Sequence, residues 1–123
     1  MTRKPQINDP EAHVITSHGA DFFGEDRHPL KTLASLAGYA EGCLSRDERG
    51  PLMLLLTNPG EGGSMSPSQA AEISALLLRL ARHRFVKASA AAHARALADA
   101  AGRAAADGDR WVWRVESETT TAA

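Results

Sequence analysis

Periodic and alternating hydrophobic positions predict six regular elements along the chain. His13–Ser17 is short and rich in β-branched residues, and Trp111–Glu116 alternates apolar with polar side chains, so both segments are predicted strands. A continuous apolar run at 52–57, bounded by turn residues, favours a third and central strand. Apolar residues at helical spacing predict three helices, over about 29–44, 67–83 and 88–106.

The helix over 67–83 has the most specific start signal in the sequence. Ser66 is followed by Pro67 and then Gln69, which supplies an N-cap, a proline in the first turn and a glutamine three residues after the cap. The glycine-rich segment 58–65 before it is predicted to be a loop. Such a position can bind phosphate, but the loop contains no Lys or Arg and matches no phosphate-binding motif. A tight connection is the simpler interpretation.

The order of the predicted elements is strand, helix, strand, helix, helix, strand. A right-handed crossover would make the first two strands parallel, and the helical pair would return the third strand antiparallel. We therefore expect an α+β fold with two layers, in which a mixed three-stranded sheet lies under three helices. The length of 123 residues suits one domain, expected over 11–116, with a flexible arm at 1–10 and a flexible tail at 117–123.

Composition and charge exclude several classes of protein. The net charge is −1, from 14 basic and 15 acidic residues, so nothing draws the whole chain to nucleic acid or an anionic membrane. Cys43 is the only cysteine, which excludes an intramolecular disulfide and favours a reducing compartment. The longest apolar run, 52–56, is far shorter than the ~20 residues of a membrane span. We expect a cytoplasmic protein without membrane contact.

Three stretches carry a resemblance to known proteins: SHGADFFG at 17–24, SPSQAAEISALLLRLARH at 66–83 and WVWRVE at 111–116. In these stretches the chain resembles small uncharacterised proteins from high-GC bacteria of the filamentous actinomycete type. The resemblance covers most of 14–116 and implies a cytoplasmic bacterial or phage-encoded domain of unknown function. None of the three motifs is a known catalytic signature, and no functional residue carries over from the family.

The densest set of metal-ligand side chains lies at 13–28. Its members are His13, His18, Asp21, Glu25, Asp26 and His28. Imidazole and carboxylate groups together suit zinc or another first-row divalent ion, so His18, Asp21 and His28 are candidate metal ligands. No H-x-x-x-H or C-x-x-C pair fixes a ligand geometry here. A polar loop of 18–28, with Phe22 and Phe23 turned inward to cover the core, is the simpler interpretation.

The segment from 79 to 95 is the only strongly asymmetric run of charge. It contains five Lys or Arg residues and no acid, and Arg79, Arg82, Arg84 and Lys87 are candidate contacts to a nucleic-acid backbone. Cations near a helix C-terminus also complement the helix dipole without any partner. The alanine-rich helix that follows offers few side chains to read base edges. A solvated face or a protein contact is therefore the simpler interpretation.

The last predicted strand suggests self-association. If Trp111–Glu116 lies at an edge of the sheet, its backbone can pair with a second copy across a two-fold axis. Val112, Arg114 and Glu116 would then form a homodimer interface, with Arg114 of one chain facing Glu116 of the other. The same two charges could instead protect the edge of a monomer.

No catalytic constellation is evident in the sequence. No serine lies in a G-x-S-x-G motif, and Cys43 falls near the apolar stripe of its helix, where a buried cysteine is inert. The leading expectation is a small cytoplasmic, non-enzymatic interaction or regulatory module without a cofactor, whose protein partner the sequence does not identify. One alternative is a small metal- or ligand-dependent enzyme using 13–28. Another is a nucleic-acid-binding accessory protein using 79–95.

Overall fold

The computed structural model describes residues 12–57 and 62–116, in which four strands and four helices form. The strands are β1 (His13–Ser17), β2 (Glu25–Pro29), β3 (Gly62–Met65) and β4 (Trp111–Glu116), and the helices are α1 (Leu30–Cys43), α2 (Arg46–Thr57), α3 (Pro67–Arg82) and α4 (Ala88–Asp107). The α+β class is confirmed. The predicted arm and tail, and residues 58–61 of the predicted loop, lie outside the described residues. No helix in the described part is both long and apolar enough to span a membrane.

The sheet has four strands in the order β2-β1-β4-β3, and every neighbouring pair is antiparallel. The prediction of a mixed three-stranded sheet is therefore wrong. So is the prediction that the last strand lies at an edge, because β4 pairs with β1 on one side and with β3 on the other. Among the described strands, β2 and β3 are the edges, and the backbone of β4 is not open to a second copy.

The apolar run predicted to be a central strand belongs instead to helix α2. The backbone N–H of Glu48 donates to Ser45 Oγ at 3.3 Å, and the N–H of Ser45 donates to Glu48 Oε1 at 3.2 Å, which is a reciprocal capping box. Pro51 lies inside the helix. The buried leucines of the run follow helical spacing, at Leu52, Leu55 and Leu56. The predicted parallel crossover depended on this segment being a strand, so it does not occur.

The polar segment predicted to be a loop contains strand β2, which forms a hairpin with β1. Asp21 Oδ1 closes the hairpin loop by accepting the backbone N–H groups of Phe23 at 2.8 Å and Glu25 at 2.7 Å. Gly24 adopts a left-handed φ of 75° in this loop. Phe22 and Phe23 are 94% and 79% exposed, so the prediction that they cover the core is wrong. The short closed loop holds both rings beyond the end of the sheet.

The helices pack on one face of the sheet, where the side chains of Val14, His28 and Trp111 are buried. Helix α4 contacts α1, α3 and strands β1, β2 and β4. It approaches α3 closely because it presents mainly alanine and glycine: Ser74 Oγ on α3 donates to the carbonyl oxygen of Ala98 at 2.7 Å. Helices α1, α3 and α4 correspond to the three predicted helices, and their bounds agree within a few residues. The predicted capping box of Ser66 and Gln69 is also confirmed.

Replacing a buried alanine of α4 by leucine should disrupt this close packing. We expect Ala101→Leu to lower the free energy of unfolding by about 1–3 kcal/mol, because Ala101 is fully buried and the added carbons have no space. Ala106→Leu is the matched control, since Ala106 is exposed on the same helix. Chemical denaturation measures both variants. Equal stability losses in the two variants would contradict the packing described here.

Candidate functional site

A pair of histidines connects the sheet to helix α4. His28 on β2 and His93 on α4 place their Nδ1 atoms 2.8 Å apart, with ring centroids 5.1 Å apart. His28 is only 2% exposed, whereas His93 is partly exposed. A contact between two neutral imidazoles requires that one Nδ1 donates its proton and the other accepts it. The contact therefore orients both rings and couples their tautomers, because the proton on one Nδ1 requires a bare Nδ1 on the other.

Burial keeps His28 neutral. Desolvation, reinforced by the neighbouring His93, lowers the pKa of His28 from 6.5 to about 4, although the charge of Asp26 opposes this effect. His28 Nε2 is buried and has no hydrogen-bond partner in the described part of the chain. Because a buried N–H without a partner is costly, Nε2 is best left as a bare acceptor and Nδ1 as the donor. His93 then carries its proton on Nε2 and can donate it to a ligand.

His93 also lines two surface cavities beside the N-terminal part of α4. The larger cavity has a volume of about 300 Å³, and its polar lining consists of Thr32, Ser35 and Tyr39 from α1 with Lys87, Ser89 and His93. The smaller cavity has a volume of about 200 Å³ and lies on the other side of the histidine pair, beside Asp26 and Arg27. Among the described residues that line the larger cavity, every polar side chain can donate a hydrogen bond and none is a carboxylate.

The start of α4 adds a favourable field for negative charge. Lys87 is its N-cap residue and makes no side-chain capping bond, and the first turn contains no acid. The unpaired N–H groups of a helix start carry a partial positive charge, which attracts anions. Ser89 and Ala90, in this first turn, line the larger cavity. The cavity thus combines an ammonium group, hydroxyl donors, an imidazole and a helix N-terminus, a set that suits a phosphate or carboxylate group.

The predicted metal ligands do not converge. His18 Nε2 lies 3.1 Å from a carboxylate oxygen of Asp109, while His28 contacts His93. Asp21 uses its carboxylate to close the hairpin loop. The structure does not bring His18, Asp21 and His28 together, because β-strand geometry and the hairpin loop direct the three side chains to different partners.

The basic run does not form one continuous surface either. Arg79 faces α2, where its Nη1 donates to Glu48 Oε2 at 2.8 Å, and this bond is the main reason that the pKa of Glu48 falls to about 2. The Arg84 guanidinium lies 5.1 Å from the centroid of the Phe85 ring. Lys87 lines the cavity next to α1. Of the four predicted contacts to nucleic acid, Arg82 and Arg84 remain as neighbouring exposed cations.

The predicted dimer contact between Arg114 and Glu116 occurs within one chain. Arg114 donates to Glu25 at 2.8 Å and to Glu116 at 2.9 Å, and these bonds raise the pKa of the guanidinium above its ordinary value. The charged groups lie on the face of the sheet opposite the helices, with Val112 46% exposed beside them. Homodimerisation stays a prediction, but it can no longer rest on edge pairing of β4.

Sequence reasoning missed His93 and the α1 wall of the cavity. Thr32, Ser35 and Tyr39 recur at intervals of three and four residues, so they share one face of α1. This polar stripe, on a helix whose other face is apolar, is the signal that could have revealed the wall. No local signal joins it to His93, because the two helices are distant in sequence.

In the comparison with known families, a family model matches residues 19–114. The chain belongs to the DUF7739 family. This family is described as a domain of unknown function. The DUF7739 match includes every residue that lines the cavity, from Thr32 to His93. The comparison with curated proteins and the comparison with solved structures gave no match.

The histidine pair should make stability depend on pH. The pKa of His28 is about 4 in the folded state, whereas an exposed histidine of the unfolded chain has its ordinary pKa of 6.5. The unfolded chain therefore binds this proton at higher pH than the folded chain does. The free energy of unfolding should therefore fall by about 2 kcal/mol from pH 7 to pH 5. Glu48, whose pKa is about 2, keeps its charge over this pH range and therefore does not contribute to the change in stability. His28→Gln should flatten the dependence of the unfolding free energy on pH, whereas the control His83→Gln should not. Parallel pH profiles for the unchanged protein and both variants would refute the assignment of this dependence to His28.

Proposed function

We propose that the protein is a small non-enzymatic regulatory module that binds a phosphate or carboxylate group between α1 and the N-terminus of α4. The observation that supports this proposal is the lining of the larger cavity: of the residues described there, all polar side chains can donate a hydrogen bond and none is an acid. Lys87 would supply the positive charge and His93 an oriented N–H. The hydroxyls of α1 would complete the coordination of the anion's oxygens.

The size of the cavity supports a small ligand. A volume of about 300 Å³ is at the lower end of the range for small-molecule sites. We infer that the ligand is either a small oxyanion compound or the phosphate or carboxylate group of a larger molecule. The neutral His28 behind His93 supports the binding role, because it holds the second imidazole in position before any ligand arrives.

The arrangement gives less support to an enzyme. Nucleophilic catalysis requires a hydroxyl within hydrogen-bond reach of a base. In the described hydrogen bonds, His93 contacts His28 and none of the hydroxyls of the cavity. The alternative of a metal-dependent enzyme that uses 13–28 has less support, because its candidate ligands His18, Asp21 and His28 do not lie together in the structure.

The cellular setting belongs to the same proposal. A cytoplasmic location is supported by the single cysteine, Cys43, which suits a reducing compartment. A bacterial origin of the actinomycete type is supported by the resemblance of 17–24, 66–83 and 111–116 to proteins of such organisms. In that setting the protein would bind a phosphorylated or carboxylated small molecule as a regulatory signal, and the bound form would act on a protein partner.

Anion binding can be tested with inorganic phosphate and a simple phosphate monoester as probes. We expect saturable binding in calorimetric titration and a higher melting temperature with ligand, since the anion binds only the folded state. Lys87→Gln should weaken binding at least about tenfold, because a charge-assisted hydrogen bond contributes about 1.5–3 kcal/mol.

Arg82→Gln is the matched control for this test. It removes the same charge from an exposed position that does not line the cavity. We expect its affinity for both probes to equal that of the unchanged protein. Equal losses in the two variants would indicate non-specific attraction, and the absence of saturable binding to either probe would refute the proposal. A gel-shift assay of the same variants with duplex DNA separates the nucleic-acid alternative, which predicts that Arg82→Gln is the more damaging change.

A further inference from the structure

A second set of convergent side chains lies at the opposite end of helix α4. His18 follows strand β1, while Asp107 and Asp109 flank the glycine that ends α4. One ligand atom from each of the three residues lies within 4.8 Å of the other two. His18 Nε2 and Asp109 Oδ2 are already 3.1 Å apart. The imidazole distinguishes this set from an ordinary group of surface acids.

Backbone contacts bring the three residues together. Gly108 has a left-handed φ of 72°, and the N–H of Asp109 donates to the carbonyl oxygen of Ala104 at 2.9 Å, so the chain reverses sharply between the two aspartates. On the facing loop, His18 itself has a left-handed φ of 60°. The Arg103 guanidinium donates to the carbonyl oxygen of His18, which ties the loop to α4.

The dipole of α4 disfavours negative charge at the end of the helix where the two aspartates lie. The C-terminus of a helix carries a partial negative charge and favours cations. Helix α4 places Asp107 there, followed by Asp109, and its last turn contains no basic residue. Arg103, one turn earlier, directs Nη1 at a backbone carbonyl oxygen. A bound cation would therefore neutralise two carboxylates and the helix end together.

We propose that His18, Asp107 and Asp109 bind a first-row divalent cation, for which zinc is the representative ion. Mixed imidazole and carboxylate ligands suit such ions better than calcium or magnesium. In a tetrahedral site with ligands at about 2.1 Å, two ligand atoms lie about 3.4 Å apart. The 3.1 Å separation of His18 Nε2 and Asp109 Oδ2 is close to this value. Three protein ligands leave a position for water or an external ligand.

The surroundings of His18 suit a metal ligand. Its Nδ1 lies 2.8 Å from Ser17 Oγ, and this hydroxyl also accepts the backbone N–H of Val112 at 3.0 Å. Without an ion, Nε2 donates to Asp109 Oδ2. A bound ion would displace this proton, and Ser17 Oγ could then accept a hydrogen bond from Nδ1 and orient the ring. The site retains one residue of the metal site expected from the sequence and replaces Asp21 and His28 with two residues from the far end of the chain. It is independent of the proposed anion site.

Zinc titration of metal-free protein without an affinity tag tests this site. We expect one saturable zinc ion per chain in calorimetry and a rise in melting temperature, while calcium chloride produces neither effect. Asp107→Asn and Asp109→Asn should each weaken zinc binding at least about tenfold. The matched control is Asp99→Asn, because Asp99 is an exposed aspartate on the same helix outside the cluster.

A second measurement keeps the test decisive if a variant unfolds. In nitrogen NMR of the unchanged protein, zinc should shift the Nε2 resonance of His18 more than the side-chain resonances of any other histidine. Zinc binding that is equally strong in His18→Gln, or that shifts mainly His28 and His93, would overturn the site. The absence of a saturable zinc-binding event in the unchanged protein would overturn it as well.

Discussion

The close packing of helix α4 is the constraint on which the rest of the structure depends. Its small buried side chains allow it to contact α3 on one side and the sheet on the other. The 20-residue helix thereby crosses the domain, with Lys87 at its start and Asp107 at its end. Because the dipole gives the two ends opposite partial charges, the donor-lined cavity and the His–Asp cluster suit ligands of opposite sign. One tightly packed element thus positions both proposed sites.

Local sequence signals predicted the elements that are stabilised mainly by interactions between residues close in sequence. The capping box of Ser66, the periodic helices and the alternation of β4 were all visible. Helix α2 was missed because Pro51 and an unbroken apolar run outweighed the capping box of Ser45 and Glu48, which was present in the sequence. Strand β2 was missed because its outward charges are stabilised by partners on other strands, and no local pattern shows such pairs.

The candidate sites were harder to predict because their members are distant in sequence. His28 and His93 are 65 positions apart, and His18 and Asp109 are 91 positions apart. The clustering of ligand types at 13–28 drew attention to His18 and His28, but alternation along the strands and the closed hairpin loop separate them. Only the return of the chain through α4 supplies each histidine with its actual partner.

The central claim is that the start of α4 and the facing side of α1 hold an oxyanion. Proton–nitrogen NMR during titration with inorganic phosphate tests it most directly, because it locates the ligand residue by residue. We expect saturable shifts concentrated in the backbone amides of Ser89 and Ala90 and in the His93 imidazole. Shifts confined to the amides around Arg82 and Arg84, or no saturable shift at all, would contradict it.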